Sequence, residues 1–269
     1  MVLEANAKVN IGLLVGKKRD DGFHDIETIM ARISLKDRIE LEIKPSPSVE
    51  VYIKGNEGYI GTGMDLMEKA AIVFSNLTGF SFSLDISIDK KIPSEAGLGG
   101  GSSDAAAVFS FLNEYFGEPL KKEELIASSF AIGSDVPFFV SGYSGAFVSG
   151  KGDAVEEAYV PHGKKLLLLV PNEKTKTGEA YSKLDAIERK KRRLPSLLDS
   201  FPSRSTHPND FELVSHNFYS SLFPPEILSS GAYISMTGSG SAWYALFSED
   251  TLPKFDNPEK YGIVSAYII

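Results

Sequence analysis

The sequence has 269 residues, and 28 lysines and arginines stand against 36 aspartates and glutamates, for a net charge of −8. This acidic balance argues against an extended nucleic-acid surface. The absence of cysteine excludes disulfides and thiolate metal sites, and no apolar run approaches the roughly 20 residues that cross a bilayer. We expect a soluble, cytoplasmic protein without nucleic-acid or membrane partners, long enough for one large domain or two ordinary ones.

The first predicted element is a strand near the amino terminus, "NAKVNIGLLV". Its odd-numbered residues from Val9 to Val15 are apolar and share one face, so Lys8 and Asn10 project together from the other face. A lysine and an amide on one side of a strand suit the wall of a binding site. Taken alone, an outward lysine on a strand is usually solvated.

Strands and helices alternate through the first half of the chain. Period-two patterns predict strands at "RIELEIK", "VEVYI" and "SFSLDISID", and so a largely antiparallel sheet. A first helix carries an apolar stripe from Leu66 to Leu77 and ends at a C-cap, Gly79. A second has a stripe from Val108 to Tyr115, and "KKEELIASSFAIG" predicts a third.

The pattern begins afresh after "SGKGD", Ser149 to Asp153. A buried strand is predicted at Leu166 to Val170, a helix over Glu179 to Arg193, and further strands near Ile234, Tyr244 and the carboxyl terminus. The basic run "ERKKRR" at the end of this helix is interpreted as a solvated face. These shifts place a domain boundary near residue 150, which divides the chain into 1–150 and 151–269.

The stretch "PSEAGLGGGSSDAA" gathers four glycines directly ahead of the second helix. Backbone amides approach a polyphosphate closely where no Cβ intrudes, and the first turn of a helix adds unpaired donors and a positive dipole end. Ser102 and Ser103 are suited to cap the helix, or to bond phosphate or the water shell of a metal, and Asp104 is expected in the first turn. A flexible connector is the alternative, but a well-patterned helix follows without a break.

The other known glycine-rich motifs are each excluded because a required residue is missing. No lysine follows these glycines, as a Walker A loop requires, and Asp104 interrupts a G-x-G-x-x-G pattern. The stretch "GAFVSGK", which ends at Lys151, has Walker spacing, but Gly152 replaces the required serine or threonine. A phosphate loop of another kind is therefore predicted.

Two later stretches are ambiguous when each is taken alone. In "IGSDVPFFVSG", Asp135 lies between a small-residue turn and an apolar run, and Pro137 biases Val136 toward an extended conformation. Such a carboxylate is expected to be partly desolvated, or to be a simple cap. In "MTGSGSAWYALF", Gly238 to Gly240 form a turn between two strands, which fits an ordinary hairpin.

Taken together, these stretches resemble the motifs of the GHMP small-molecule kinases. "AKVNIGL" is similar to the amino-terminal motif of that superfamily, "PSEAGLGGGSSDAA" to the central motif and "MTGSGSAWYALF" to the carboxyl-terminal one, in the same order and with roughly the same spacing over the whole chain. More narrowly, "AKVN" with "DGFH", "GGGSSDAA" and "IGSDVPFFVSG" resemble the 4-diphosphocytidyl-2-C-methyl-D-erythritol kinases of the non-mevalonate isoprenoid pathway.

The resemblance implies a fold and an activity. The fold is a two-domain α+β GHMP kinase fold, with an ATP-binding amino-terminal half like ribosomal protein S5 domain 2 and a ferredoxin-like carboxyl-terminal half. The activity is ATP-dependent phosphorylation of the 2-hydroxyl of a cytidine-diphosphate substrate, with ATP and Mg²⁺ as cofactors. In that family the active site lies between the two halves.

The resemblance also assigns site residues. Lys8 and Asp135 match the catalytic pair. The ATP phosphate loop matches eleven consecutive residues: Pro93, Ser94, Glu95, Ala96, Gly97, Leu98, Gly99, Gly100, Gly101, Ser102 and Ser103. The substrate positions match Asn10, Phe23, His24, Thr177 and Tyr181. Of these, His24 would read the cytosine edge, while Phe23, where the family often has tyrosine, and Tyr181 would stack on the base.

Two alternatives stay open at this point. Another GHMP kinase, of the homoserine or mevalonate kinase type, would share the phosphate loop but would have no use for a cytosine sandwich. A catalytically silent nucleotide-binding regulator on the same scaffold would bind ATP but need neither Lys8 nor Asp135, and both are present. His24 could also be a loop histidine with no special partner.

Overall fold

A computed structural model describes residues 1–56, 65–189, 193–194, 209–215, 219–248, 252–254 and 263–269. The chain divides into two compact units. Unit 1 comprises Met1–Ala7, Leu35–Ser94 and Gly99–Tyr143, and unit 2 comprises Lys8–Ser34, Glu95–Leu98 and Ser144–Ile269. Two long paired strands, β1 (Val2–Lys18) and β2 (His24–Pro45), contribute residues to both units. The predicted boundary between domains near residue 150 stays a prediction.

Unit 1 contains a sheet of mixed direction. The second part of β2 pairs antiparallel with β4 (Phe82–Asp89), from Arg38 opposite Asp89 to Pro45 opposite Phe82. β3 (Glu50–Gly55) pairs with β4 in parallel. The predicted strands are therefore present and mostly antiparallel. The parallel pair arises because a helix lies between β3 and β4 in the chain, as in other crossover connections.

The helices of unit 1 are α1 (Leu66–Thr78), α2 (Gly100–Tyr115), α3 (Lys122–Ser129) and α4 (Val136–Ser141). Helix α1 ends as predicted, at Gly79 with φ 77°. Its buried stripe differs from the prediction: Met67, Ala70, Ala71 and Phe74 face the core, while Leu77 is 50% exposed. The reason is that Phe74 packs with other phenylalanines, including Phe80, Phe82, Phe109 and Phe116, and this aromatic cluster sets the rotation of the helix.

Unit 2 contains two groups of strands. The first part of β2 pairs antiparallel with β5 (Gly145–Gly150), which pairs with β6 (Ala154–Glu157). A separate antiparallel sheet has the order β10-β7-β9-β8. Its strands are β7 (Lys165–Leu169), β8 (Tyr233–Met236), β9 (Trp243–Leu246) and β10 (Ile263–Tyr267). These match the strands that were predicted for the second half.

The remaining helices of unit 2 are short and cover this sheet. They are α5 (Thr177–Asp185), a 3-10 helix (Asp210–Leu213), α6 (Tyr219–Leu222) and α7 (Pro225–Ser229). The core joins Leu184 of α5 and Ile227 of α7 to Leu167, Leu169 and other apolar side chains of the strands. Together, the helices and mostly antiparallel sheets confirm the predicted α+β class.

The prediction for the helix over Glu179 to Arg193 was wrong at its carboxyl end. Helix α5 ends at Asp185, and residues 190–192 of the basic run lie outside the described residues. Arg189 is not a solvated cation: its guanidinium donates to the carbonyls of Val15 and Gly16 and pairs with Asp210 at 3.2 Å. Those acceptors come from distant parts of the sequence, so helical spacing could not reveal them.

No helix within the described ranges is long and apolar enough to span a lipid bilayer.

Candidate active site

Lys8 and Asn10 lie on β1 and are both buried, with exposed fractions of 2% and 1%. The Lys8 ammonium donates to Asn10 Oδ1 at 2.7 Å and to the Gly97 carbonyl at 3.0 Å. A buried ammonium is costly unless it is hydrogen-bonded, so these contacts explain how it is tolerated. Lys8 is therefore not the solvated lysine of the alternative interpretation.

The Asn10 amide has protein partners at both ends. Its Oδ1 also accepts from the Gly238 backbone amide at 2.9 Å, and its Nδ2 donates to Thr28 Oγ1 at 2.9 Å. An amide oxygen and nitrogen that are engaged in this way have little capacity left for a ligand. The geometry favours a role for Asn10 in holding Lys8, and its predicted contact with substrate stays a prediction.

Three consecutive carbonyls of the glycine-rich loop accept hydrogen bonds from other segments of unit 2, to which residues 95–98 themselves belong. The Ala96 carbonyl accepts from the Ala242 amide at 3.1 Å, and the Leu98 carbonyl accepts from the Lys8 amide at 3.0 Å. Between them, the Gly97 carbonyl accepts from the Lys8 ammonium and from Thr237 Oγ1, both at 3.0 Å. These contacts fix the carbonyl oxygens of the loop within unit 2.

The backbone of the same loop alternates in conformation. Glu95, Gly97 and Gly99 have φ values of 56°, 75° and 71°, whereas Ala96 and Leu98 between them do not have positive φ. Positive φ at alternate residues is one half of the alternating pattern of a backbone nest, an arrangement that suits an anion. Glycine is required at position 97 for two reasons. Its φ of 75° is left-handed, and an added Cβ would lie 2.2 Å from the Thr237 carbonyl oxygen.

The loop leads directly into helix α2, whose N-cap is Gly99. The first turn of the helix has no side-chain cap, and its first internal hydrogen bond runs from the Ser103 amide to the Gly99 carbonyl at 2.9 Å. The amides of Gly100 to Ser102 precede that bond and are the donors that a helix leaves unpaired. The unpaired amides at the start of α2 follow the loop directly in the sequence.

The two serines of the loop differ. Ser103 is buried, and its hydroxyl donates to the Asn6 carbonyl at 2.7 Å, which fixes the start of α2 within unit 1. Ser102 is half-buried, and within the described ranges its hydroxyl has no hydrogen-bond partner. Neither residue caps the helix. Ser102 is therefore the serine that is available to a ligand.

Asp104 was predicted in the first turn of the helix, but α2 begins at Gly100 and Asp104 lies beyond that turn. It is buried with Lys90 and Asp37: the Lys90 ammonium lies 2.7 Å from Asp104 Oδ2 and 2.5 Å from Asp37 Oδ2. Burial, and the nearby charge of Asp37, raise the pKa of Asp104 to about 7 although Lys90 opposes the shift. Burial lowers the pKa of Lys90, but the two carboxylates outweigh it and the pKa is raised.

Asp135 belongs to unit 1 and is half-buried at the N-cap position of α4. Its carboxylate makes no capping hydrogen bond to that helix, so it is not a simple cap. The predicted extended conformation of Val136 was wrong, because Val136 is the first residue of α4 and Pro137 the second, a position where proline is tolerated. Lys8 belongs to unit 2, and its pairing with Asp135 stays a prediction.

The predicted base-binding residues lie at the start of β2 and in α5. The rings of His24 and Tyr181 are stacked, with centroids 4.7 Å apart. Phe23 is 49% exposed, and the Lys151 ammonium lies 5.2 Å from its ring centroid. His24 is buried, and its Nε2 lies 2.8 Å from Asp185 Oδ1, so it is not a loop histidine without a partner.

Thr177 begins α5, and its hydroxyl lies 3.0 Å from that of Ser239 in the turn between β8 and β9. This turn, Gly238 to Gly240, thus contacts two predicted site residues, since the Gly238 amide also donates to Asn10. Its hairpin geometry is as predicted, but the turn does more than connect two strands. The substrate role of Thr177 stays a prediction.

Comparison with known proteins places this geometry in a family. The sequence model for the GHMP kinases N terminal domain matches residues 65–143. The 4-diphosphocytidyl-2-C-methyl-D-erythritol kinase of Methylacidiphilum infernorum is 36% identical over 266 residues, which cover 94% of this chain and 88% of that protein. The chain belongs to the 4-diphosphocytidyl-2-C-methyl-D-erythritol kinase family. It is accordingly a GHMP small-molecule kinase that uses ATP.

Solved structures show the same fold. A crystal structure of a 4-(cytidine 5'-diphospho)-2C-methyl-D-erythritol kinase superposes with a TM-score of 0.72 at 26% identity and covers 100% of this chain and 99% of that one. Homoserine kinase from Cytophaga hutchinsonii has a TM-score of 0.62 at 14% identity, covering 99% and 94%, which shows the fold alone. The predicted two-domain GHMP kinase fold is confirmed, and family membership favours this kinase over the homoserine and mevalonate kinase types and over a silent regulator.

Proposed function

We propose that this kinase transfers the γ-phosphoryl group of ATP to the 2-hydroxyl of 4-diphosphocytidyl-2-C-methyl-D-erythritol, a step of the non-mevalonate isoprenoid pathway. The relatives that it matches carry that substrate in their names. The structural observation that supports the proposal best is the glycine-rich loop, whose carbonyls at residues 96–98 all accept hydrogen bonds within unit 2. Because these carbonyls are already bonded, the backbone amides of the loop are the groups that would donate hydrogen bonds to a triphosphate.

The loop would supply most of the electrostatic stabilisation of the phosphoryl group during its transfer. Phosphoryl transfer asks an enzyme chiefly for positioning and for donors that are already aimed at the phosphate oxygens. The alternating backbone from Glu95 to Gly99 and the free amides at the start of α2 meet both needs. We assign the β- and γ-phosphates of ATP to this run of donors.

Magnesium would neutralise the remaining negative charge of the ATP phosphates. The described residues contain no group of three or more histidine, cysteine or acidic side chains that could hold a metal. Mg²⁺ fits nonetheless, because it is commonly bound by one or two protein oxygens together with substrate phosphates and water. Ser102, with its half-buried hydroxyl, is the residue of the loop that we assign to the water shell of the ion.

Lys8 and Asp135 would act on the acceptor hydroxyl. As that oxygen attacks the γ-phosphorus, its proton passes to Asp135, the bond to the β-phosphate oxygen breaks, and ADP leaves. Lys8, held by Asn10 and the Gly97 carbonyl, would orient the hydroxyl.

An acceptor panel tests the substrate. Labelled ATP is offered with the cytidine-diphosphate compound, homoserine and mevalonate, and transfer of label is measured. We expect label in the cytidine compound and none in the other two. Label in homoserine or mevalonate alone would overturn the proposal, and ATP binding without any transfer would point to a silent nucleotide-binding protein.

Asp135→Asn tests the mechanism. General acid–base work contributes roughly 10²- to 10⁴-fold, so turnover is expected to fall by about that factor while ATP binding, measured by calorimetry, persists. Asp85→Asn is the matched control, because the Asp85 side chain, in unit 1, is 44% exposed and pairs with Lys44. Turnover of Asp135→Asn within a few-fold of wild type would exclude this role.

A further inference from the structure

A carboxylate fixes one nitrogen of the His24 ring. Asp185, at the end of α5, places Oδ1 2.8 Å from His24 Nε2 across 161 positions of sequence. The histidine side chain is 6% exposed and the aspartate 33%. The family resemblance implies that His24 reads the cytosine edge but assigns no role to Asp185.

This contact determines which ring nitrogen carries the proton. An ionised carboxylate only accepts hydrogen bonds, so Nε2 must donate. In the neutral ring the other nitrogen, Nδ1, is then left with a lone pair and becomes an acceptor. Among the residues that the structure describes, none donates to that nitrogen.

The plane of the ring is also fixed. His24 stacks on Tyr181 at an angle of 25° between the planes. Tyr181 in turn packs edge-on against Phe211, which is buried, with centroids 4.9 Å apart. The imidazole is therefore held by a hydrogen bond at one nitrogen and by a ring face, and the direction of its Nδ1 lone pair is set before any ligand arrives.

We infer that Asp185 is a positioning residue that makes this kinase select an amino-bearing pyrimidine over its carbonyl counterpart. The inference rests on the proposed function, because it takes His24 as the residue that faces the base. An acceptor at Nδ1 pairs with the exocyclic amino group of cytosine. The same position of uracil carries a carbonyl oxygen, so two lone pairs would face each other, and sites built in this way reject the mismatched analogue strongly.

Binding of two diphosphates tests the inference without turnover. Dissociation constants for CDP and UDP are measured with the wild type and with the variants Asp185→Asn, Asp185→Glu and Asp25→Asn. An asparagine can present either an acceptor or a donor to Nε2, so the tautomer is no longer fixed. We expect the wild type to prefer CDP, Asp185→Asn to lose about tenfold or more of that preference, and Asp185→Glu to regain it.

Asp25→Asn is the matched control, since it removes the same charge one residue from His24, at a carboxylate paired with Arg19 instead. It is expected to keep the preference for CDP. A wild type that binds CDP and UDP equally, or an Asp185→Asn variant with an unchanged preference, overturns the inference. A failure of the proposed function is distinguishable, because it would show as absent phosphoryl transfer to the cytidine acceptor in the labelled-ATP panel.

Nitrogen NMR reports the tautomer directly and does not need a variant that folds well. In ¹⁵N-histidine-labelled wild type, the His24 signals are assigned by their loss in His24→Gln. We expect Nε2 with the shift of a protonated nitrogen and Nδ1 with that of an unprotonated one. The opposite tautomer, or a ring protonated at both nitrogens at the pH of the binding assay, overturns the inference.

Discussion

The phosphate loop and the base-binding region are built in opposite ways. The loop from Glu95 to Gly99 has its carbonyls bonded at three successive residues, and Gly97 is enclosed by backbone of the turn after β8. The base-binding region, in contrast, consists of an exposed phenylalanine, Phe23, and a buried histidine that depends on one carboxylate. A substitution in the loop must therefore disturb structure and binding together, whereas one in the base-binding region should change binding alone.

This difference follows from what each ligand group demands. A triphosphate is recognised by many amides whose directions must be set in advance, because preorganised donors cost no reorganisation during the reaction. A base is recognised by a stacking face and a few directional hydrogen bonds. The first requirement leads to a rigid loop, and the second needs only a surface with one well-oriented side chain.

Gly97→Ala should have the largest effect. The new Cβ would lie 2.2 Å from the Thr237 carbonyl oxygen, at a φ of 75°. We expect ATP affinity and turnover to fall by at least about 100-fold, as the loop is displaced, together with a lower melting temperature. Gly163→Ala is the control, because Gly163 has a similar φ of 73° with nothing within 4 Å of the added Cβ.

The control should lose only about 1–2 kcal/mol of unfolding free energy, the cost of a left-handed alanine, and should keep its turnover. Equal losses of ATP affinity in the two variants would show that backbone strain alone, and not the contact between Gly97 and Thr237, accounts for the effect.

Phe23→Ala tests the base-binding region and should have an intermediate effect. Stacking on an aromatic side chain contributes about 1–3 kcal/mol per base, so KM for the cytidine acceptor is expected to rise about tenfold or more. The melting temperature should hardly change, because the ring is 49% exposed. Phe23→Tyr keeps the stacking face and should retain the wild-type KM. A large loss of stability in Phe23→Ala would remove the contrast between the two regions.

Asp104→Asn should have the smallest effect, and only on stability. The folded-state pKa of Asp104 is about 7 against an ordinary value of 3.8, so between these pH values the folded protein holds a proton that the unfolded chain has released. The contribution of Asp104 to stability therefore falls as pH rises through this window.

Denaturant unfolding at pH 5 and pH 8 checks this sign. From pH 5 to pH 8, the free energy of unfolding of the variant should rise by about 1–3 kcal/mol relative to that of the wild type. Asp89→Asn, at an exposed carboxylate beside Lys91, should show no such change. A stability difference that is the same at pH 5 and pH 8 would mean that Lys90 keeps Asp104 ionised throughout and would contradict the prediction.

Local patterns in the sequence predicted what local geometry controls. Glycine spacing indicated the phosphate loop because a left-handed φ at Gly97 and Gly99 is a property of those residues themselves. Period-two alternation found β4 to within one residue of its start, and the C-cap at Gly79 was confirmed. The assignment of roles to Lys8, Asp135 and the substrate residues depended on family resemblance and stays a prediction.

Contacts between distant segments could not be predicted in this way. Thr237 contacts Gly97 across 140 positions, and Asp185 contacts His24 across 161. Neither residue carries a local signal, since a threonine before a glycine turn and an aspartate at a helix end are both ordinary. The end of α5 was missed for the same reason: Arg189 leaves the helical path to reach Val15 and Asp210.

The interleaved order of the segments in the two units has a consequence for synthesis on the ribosome. All of the segments of unit 1 precede residue 144, so they have left the exit tunnel while much of unit 2 is still untranslated. Ile33 of β2 pairs with Ile268, and the Ile269 amide donates to Arg32. These contacts of Arg32 and Ile33 can form only after residues more than 200 positions later have been translated, and delayed long-range pairing of this kind exposes a nascent chain to misfolding.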